Sequence, residues 1–274
     1  MEAVFIAALI VLILICISFG FWKLLRYISK HRVRNKLNPL PSQISKTENY
    51  SFVPETIPKR IIQTYISKDK VPKKVFDNIS WFASDYEYEF FSDKDCIDFL
   101  KSYFTSSVVD TYHKLKNKAH KADLFRYCYL YERGGVYLDI KTELIKPLNT
   151  IFKDKCINTV IAGNGVSIYQ GIIAAPPKNR LFLELIEYMR LNSKSPRYHL
   201  FVNDFYNVVE DDVGKEPNYG ANIGKDNRYY LLREKCVTDS SACHDGLDRY
   251  GICCNVYDGN DKVFKSRYAD FPWK

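Results

Sequence analysis

Residues 118–148 read KAHKADLFRYCYLYERGGVYLDIKTELIKPL, and the rest of the chain can be organised around this stretch. The run from Asn117 to Arg133 predicts a helix, and Gly134-Gly135 then supplies the left-handed conformation a helix stop needs. Residues 136–140 (VYLDI) predict a strand directly after it. On the helix, Asp123, Arg126 and Leu130 fall at i, i+3 and i+7, so the carboxylate and the guanidinium share one face. On the strand, alternation sends Val136, Leu138 and Ile140 to one side and Tyr137, Asp139 and Lys141 to the other. The first set is apolar and the second polar, as expected of a strand with one face in a core and one on a cleft.

Further along the chain in both directions the same alternation recurs. Residues 60–65 (RIIQTY) and 86–91 (YEYEFF) read as strands. Ser92, with an acidic residue three positions on at Asp95, opens a helix to about Phe104. Residues 159–162 and 167–175 read as strands, and Asn179 caps a helix over 180–191. Strands alternating with helices predict an α/β domain with a mostly parallel sheet, helices flanking it, and ligands at the carboxyl ends of the strands. No internal repeat is evident.

The N-terminal part differs in kind. Residues 3–22 carry no charge, which is long enough to cross a bilayer core as a single helix. A cleaved signal peptide is the competing reading, but it calls for a positive start and a shorter apolar run, and only Met1 and Glu2 precede this one. Residues 1–22 are therefore expected to be a transmembrane anchor, residues 23–56 a basic polar stem broken by Pro39, Pro41 and Pro54, and residues 57–274 the folded domain. The flank Lys23, Arg26, Lys30, Arg32, Arg34 and Lys36 favours a cytosolic domain by the positive-inside rule.

The chain has 274 residues, 46% hydrophobic and 26% charged, an ordinary globular balance. Its net charge of +8 owes part of its excess to the stem, so nucleic acid is not the expected partner. The 21 tyrosines suit both a core and a polar sugar-binding cleft. Of eight cysteines, Cys16 lies in the apolar segment and Cys236, Cys243, Cys253 and Cys254 crowd together. The spacing lacks a zinc pattern, and it leaves disulfides and free buried thiols both open. His113, His120, His199 and His244 are scattered singly and receive no catalytic role. Asp211 and Asp212 read as a solvated surface pair.

An enzyme acting on a nucleotide sugar needs acceptors for hydroxyl groups and positive charge for a departing diphosphate. Asp123 and Asp139 can supply the first, Arg126 and Lys141 the second. Taken residue by residue, the i, i+3 pair reads first as a solvated surface ion pair and Asp139 as the end of a strand.

The joint pattern A-x-K-A-D-x-x-R-Y-x-x-L-Y-x-x-G-G-V-Y-x-D resembles the sugar-binding region of glycosyltransferase family 32, whose members carry a DXD motif. Residues 57–65 (IPKRIIQTY) are similar to that family's first strand, usually P-K-x-I-H-Q-T-W, and residues 171–175 extend the likeness. The resemblance implies a GT-A-like fold and transfer of a hexose, with retention of configuration, from a UDP- or GDP-hexose to a glycan or glycolipid acceptor. It implies that Asp123 and Arg126 hold the transferred sugar, that Asp139 contacts the donor ribose or a metal, that Tyr137 borders the donor pocket, and that Gln63 and Thr64 meet the nucleotide. A C-terminal Trp273 would close the donor site, beside its plainer reading as a plug at the core edge.

Two positions depart from the family pattern. Ala122 stands for the usual Ser, and Lys141 replaces the second Asp of DXD. An ammonium has no lone pair for a divalent cation. The expected Mn²⁺ or Mg²⁺ would then rest on Asp139, on a more distant carboxylate such as Asp270, and on the donor diphosphate, while Lys141 lies against the phosphates. A non-catalytic nucleotide-sugar-binding protein of the same fold is the alternative. By class, a Golgi or other endomembrane lumen is expected, opposite to the charge rule.

Overall fold

A computed structural model describes residues 44–46, 55–239, 241, 247 and 251–266. In chain order the strands are β1 (Arg60–Thr64), β2 (Glu87–Phe91), β3 (Gly135–Leu138), β4 (Thr142–Leu144), β5 (Ile157–Ile161), β6 (Ile168–Ala175), β7 (Gly220–Ile223), β8 (Arg228–Val237), β9 (Cys253–Asp258) and β10 (Asp261–Ser266). The helices are α1 (Lys73–Phe82), α2 (Asp93–Tyr103), α3 (Ser106–Lys114), α4 (Lys118–Arg133), α5 (Arg180–Leu191) and α6 (Leu200–Val213).

The strands form one sheet in the order β2-β1-β3-β6-β5-β8-β9-β10-β4, with β7 added on β8. The expected mostly parallel sheet is corrected to a mixed one. Parallel pairing is confined to β1 with β2, β1 with β3, and β5 with β8, and the remaining pairs are antiparallel. The connections explain this, because a parallel pair needs a crossover of a dozen residues or so. Residues 162–167 between β5 and β6, and Gly259-Asn260 between β9 and β10, permit only hairpins.

The sheet also curls. β3 stands third in the order and β4 ninth, which in a flat sheet would be ~29 Å apart at ~4.8 Å per strand. Only residues 139–141 join them, a span of at most ~14 Å from Leu138 to Thr142. The far edge therefore bends back to the carboxyl end of β3, and the 139–141 turn sits at the seam.

Helix starts follow the local sequence. Ser92 and Asp95 form a reciprocal capping box, Asn117 accepts from the Ala119 amide at 2.8 Å, and Asn179 accepts from Leu181 at 3.0 Å. Gly134 has positive φ, as expected, but with an extended ψ (63°, −165°) rather than the left-handed helical one. Contact adds a second reason for glycine here: a Cβ on Gly134 would meet the Pro177 nitrogen at 2.6 Å, and one on Gly135 the Arg60 carbonyl at 2.8 Å. The turn from α4 into β3 is pressed against both its neighbours.

Val136 and Leu138 enter a core cluster with Ile61, Ile172, Leu232 and Phe264, so the apolar face of β3 is buried as its alternation required. Within the expected stem, residues 44–46 lie on the domain. Ile44 is buried, Thr105 donates to its carbonyl at 2.9 Å, and the Lys46 amide donates to Tyr103. Asp212, read as solvated, instead accepts hydrogen bonds from the Asp226 and Asn227 amides and from the Tyr229 hydroxyl at 2.7 Å, pinning the β7–β8 hairpin.

The cysteine question resolves towards cross-links. Cys236 and Cys254, register partners on β8 and β9, form a disulfide, and Cys253 is also disulfide-bonded. Cys96, Cys128 and Cys156 are free thiols. Among the described residues no helix is long and apolar enough to cross a membrane. The expected anchor over residues 3–22 lies outside the described residues, as do Asp270 and Trp273.

Candidate active site

Helix α4 is buried nearly all round, so its polar side chains must find partners inside the protein. Asp123 and Arg126 do so with one another at 3.2 Å, both almost inaccessible to solvent. The surface-pair alternative therefore falls. Arg126 also donates from Nε to the Ala122 carbonyl at 3.2 Å and from a terminal nitrogen to the Gln170 carbonyl, and its guanidinium carbon lies 4.2 Å from the centre of the Tyr137 ring. Burial opposes the Arg126 charge, but Tyr137, Asp123 and Asp139 together hold the group firmly protonated. Burial pushes the Asp123 carboxyl up, against the pull of Arg126 and His120, and Asp139 pushes it the same way. Tyr137 is likewise driven well above the ordinary phenol range by burial.

Asp139 follows β3 in the seam turn and is partly exposed. Its backbone is held closely. Its amide donates to the Gly171 carbonyl at 2.8 Å, and its carbonyl accepts from the Thr142 amide at 2.8 Å and from Gln63 Nε2 at a long 3.5 Å. Tyr88 donates to the other end of the Gln63 amide at 3.0 Å. Gln63 thus supports the Asp139 backbone from the adjacent parallel strand. Thr64, at the carboxyl end of β1, contacts the Cys96 sulfur at 3.3 Å. Lys141 is partly buried within the same turn as Asp139.

The two carbonyls that receive Arg126 and the Asp139 amide come from one irregularity in β6. Asn158 pairs with Ala174, yet Val160 pairs with Tyr169, so Gln170 and Gly171 belong to a bulge in the β5–β6 ladder. Bulges re-aim backbone groups, and here they serve the helix and the turn at once.

The structure therefore brings Asp123, Arg126, Tyr137 and Asp139 into one electrostatic neighbourhood, joins Gln63 to it through the Asp139 backbone, and leaves Thr64 beside it at the same strand ends. Tyr88, Thr142, Gln170 and Gly171 were missed as supporting residues. Only the glycine offered a sequence signal, as an interior strand Gly that marks a bulge.

Residues 69–158, which include α4 and the seam turn, match the family described as "Glycosyltransferase sugar-binding region containing DXD motif". That match spans 90 of the chain's 274 residues. It is 31% identical over 135 residues to an initiation-specific alpha-1,6-mannosyltransferase of Saccharomyces cerevisiae, covering 46% of this chain and 28% of that protein. A mannosyl phosphorylinositol ceramide synthase of the same yeast is 27% identical over 166 residues, 58% of this chain and 42% of the relative. An uncharacterized glycosyltransferase of Acanthamoeba polyphaga mimivirus is 28% identical over 220 residues, 77% of this chain and 76% of the relative. The chain thus spans less than half the length of the two yeast relatives. Among solved structures, the PaToxG glycosyltransferase aligns with a TM-score of 0.48 at 14% identity, over 70% of this chain and 80% of that one. The family match and the sequence relatives support a glycosyltransferase family 32-like assignment.

Proposed function

We propose that the chain is a retaining hexosyltransferase, moving a hexose from a UDP- or GDP-hexose to a glycan or glycolipid acceptor. The observation that carries this reading is the buried Asp123–Arg126 pair set against Tyr137 with Asp139 beside it. A buried carboxyl and a fixed guanidinium offer an acceptor and donors to sugar hydroxyls without reorganising during the reaction. In the transfer, the bond from the anomeric carbon to the diphosphate oxygen breaks as the acceptor oxygen bonds to that carbon, and the acceptor proton leaves with the diphosphate. Arg126, held protonated, stabilises negative charge near the sugar, and Tyr137 supports its guanidinium. Mannose is the first hexose to test, given the two yeast relatives.

A divalent cation fits this site in part. Asp139 offers one hard oxygen ligand, Asp270 is the proposed second, and Lys141 is none. Among the described residues the one cluster able to gather three metal-binding atoms, Glu234, Cys236 and Cys254, has its two sulfurs joined in a disulfide. When bound, such a cation would neutralise the departing diphosphate. Lys141 lies in the same turn as a fixed cation for those phosphates.

Residues 3–22 anchor the protein, with the domain on the lumenal side. The Cys236–Cys254 cross-link favours an oxidising compartment over the orientation suggested by the basic flank. Protease added outside sealed microsomes should leave the domain intact, and its complete digestion would reverse the orientation.

The replacement of the second DXD acid by Lys141 also favours a second reading, a non-catalytic sugar-nucleotide-binding protein. Release of nucleoside diphosphate from a panel of UDP- and GDP-sugars separates the two. Turnover supports the enzyme, whereas binding without turnover supports the alternative.

A further inference from the structure

Among the described residues, few buried side-chain atoms lack a hydrogen-bond partner, and four of them belong to three neighbouring residues: the Tyr127 hydroxyl, both amide atoms of Gln170, and Oδ2 of Asp204. Tyr127 follows Arg126 on α4, and Gln170 lies in the β6 bulge whose carbonyl receives Arg126. Asp204 is on α6, which packs on β6 and sets Phe205 edge-on to the Tyr127 ring at 5.8 Å. Gln170 draws on the Tyr127 hydroxyl as a loose hydrogen-bond partner and Asp204 acts on it through charge, and neither contact closes into a full hydrogen bond.

Each such atom costs ~1–3 kcal/mol when left unmet, and folded proteins retain few of them. A concentration beside the Asp123–Arg126 pair calls for a partner that arrives from outside. The chemistry of the set narrows that partner. An amide and a phenol both donate and accept, a carboxyl accepts and, while it keeps its proton, also donates, and none of the three brings positive charge. The nearby cations, Arg126 and Arg197, already face the carboxyl groups of Asp123 and Asp204, so a pair of neighbouring hydroxyls matches the set better than a phosphate.

We propose that Tyr127, Gln170 and Asp204 form a hydroxyl-reading subsite for the hexosyl ring of the donor, adjoining Asp123 and Arg126, and so select which hexose is accepted. This rests on the hexosyltransferase reading. Asp123 and Arg126 hold the ring, and the three residues discriminate among its epimers. Groups built to hydrogen-bond a hydroxyl reject an analogue that lacks it, because they are then left unpaired.

The test uses the full chain in detergent with GDP-mannose, UDP-glucose and UDP-galactose, alongside GDP and UDP. Gln170→Ala, Asp204→Asn and the gentler Tyr127→Phe should each weaken the best-bound sugar nucleotide ~10-fold while leaving the bare diphosphate within ~2-fold. A donor lacking the recognised hydroxyl should be indifferent to the same substitutions. Sugar nucleotide and bare diphosphate weakening together, or neither weakening, would overturn the subsite and leave a polar cavity filled by water. A wild-type chain that binds no sugar nucleotide better than its diphosphate would overturn it too. A change confined to the acceptor KM would move the hydroxyls to the acceptor and overturn the donor assignment. The parent reading fails separately, if Asp123→Asn retains full donor affinity and transfer.

Discussion

The guanidinium carbon of Arg126 lies 4.2 Å from the centre of the Tyr137 ring, so a helix residue and a residue of the strand that follows it stack across the turn made by Gly134 and Gly135. The stack fixes where Arg126 directs its nitrogens, towards the Gln170 carbonyl on one side and Asp123 on the other.

Asp123 and Arg126 should respond unequally to substitution. Asp123→Asn leaves Arg126 its two carbonyl partners, so the fold should hold while transfer falls ~100-fold or more. Arg126→Ala strands a buried carboxyl and should cost ~3–5 kcal/mol of stability besides activity. Thermal melts beside a transfer assay check this, and equal melting points in the two variants would contradict it.

Asp204 should make stability depend on pH. Burial raises its carboxyl to about 7, only partly offset by Arg197, against ~3.9 in an unfolded chain. Between those values the folded protein keeps a proton that the unfolded chain has released, so this stabilising contribution is full in acid and is lost as pH rises through about 7. Asp204→Asn should match the parent near pH 4 and exceed it by ~1–3 kcal/mol at pH 8. Denaturant midpoints at the two pH values decide the matter.

Lys141→Asp should restore a second carboxylate to the seam turn and lower the Mn²⁺ or Mg²⁺ concentration needed for half-maximal activity by ~10-fold. Full activity of the parent in excess chelator would assign the phosphates to Lys141 alone. An unchanged Lys141→Ala would remove the residue from the site.

A chain beginning at residue 42 should be more stable than one beginning at residue 55. The longer form keeps Ile44 buried and keeps the Thr105 amide paired with its carbonyl. The expected difference is ~1–3 kcal/mol by chemical denaturation. Coincident unfolding curves would return residues 44–46 to the stem.

What could be read from the sequence was written locally. The caps at Ser92, Asn117 and Asn179, and the i, i+3 spacing of Asp123 and Arg126, are decided within a turn of helix. Helices without such signals were not read. Thr105 and His199 make no side-chain cap, and residues 106–114 contain adjacent valines that suit a strand as well. The pairing of β4 with β10 depends on a partner far away in the chain, and the bulge at Gln170 on a slip of register between β5 and β6 that the alternation of β6 does not announce. Asp212 misled because two adjacent acids near a helix end look solvated until the hairpin that Asp212 holds is in view.

The curled sheet has a consequence in time. Among the described residues β4 pairs only with β10, and Leu144 and Phe264, which are in register, lie 120 residues apart. Closing so long a loop is entropically slow, and on a ribosome the partner strand arrives ~6–24 s after β4 at ~5–20 residues per second. Until then α4, β1 and β3 can meet and Asn78 of α1 can hold Leu144 at both backbone groups, but β4 still lacks its strand partner. Competence at that turn therefore waits on a strand made 120 residues later, and the carboxylate is fully framed long after its codon is read.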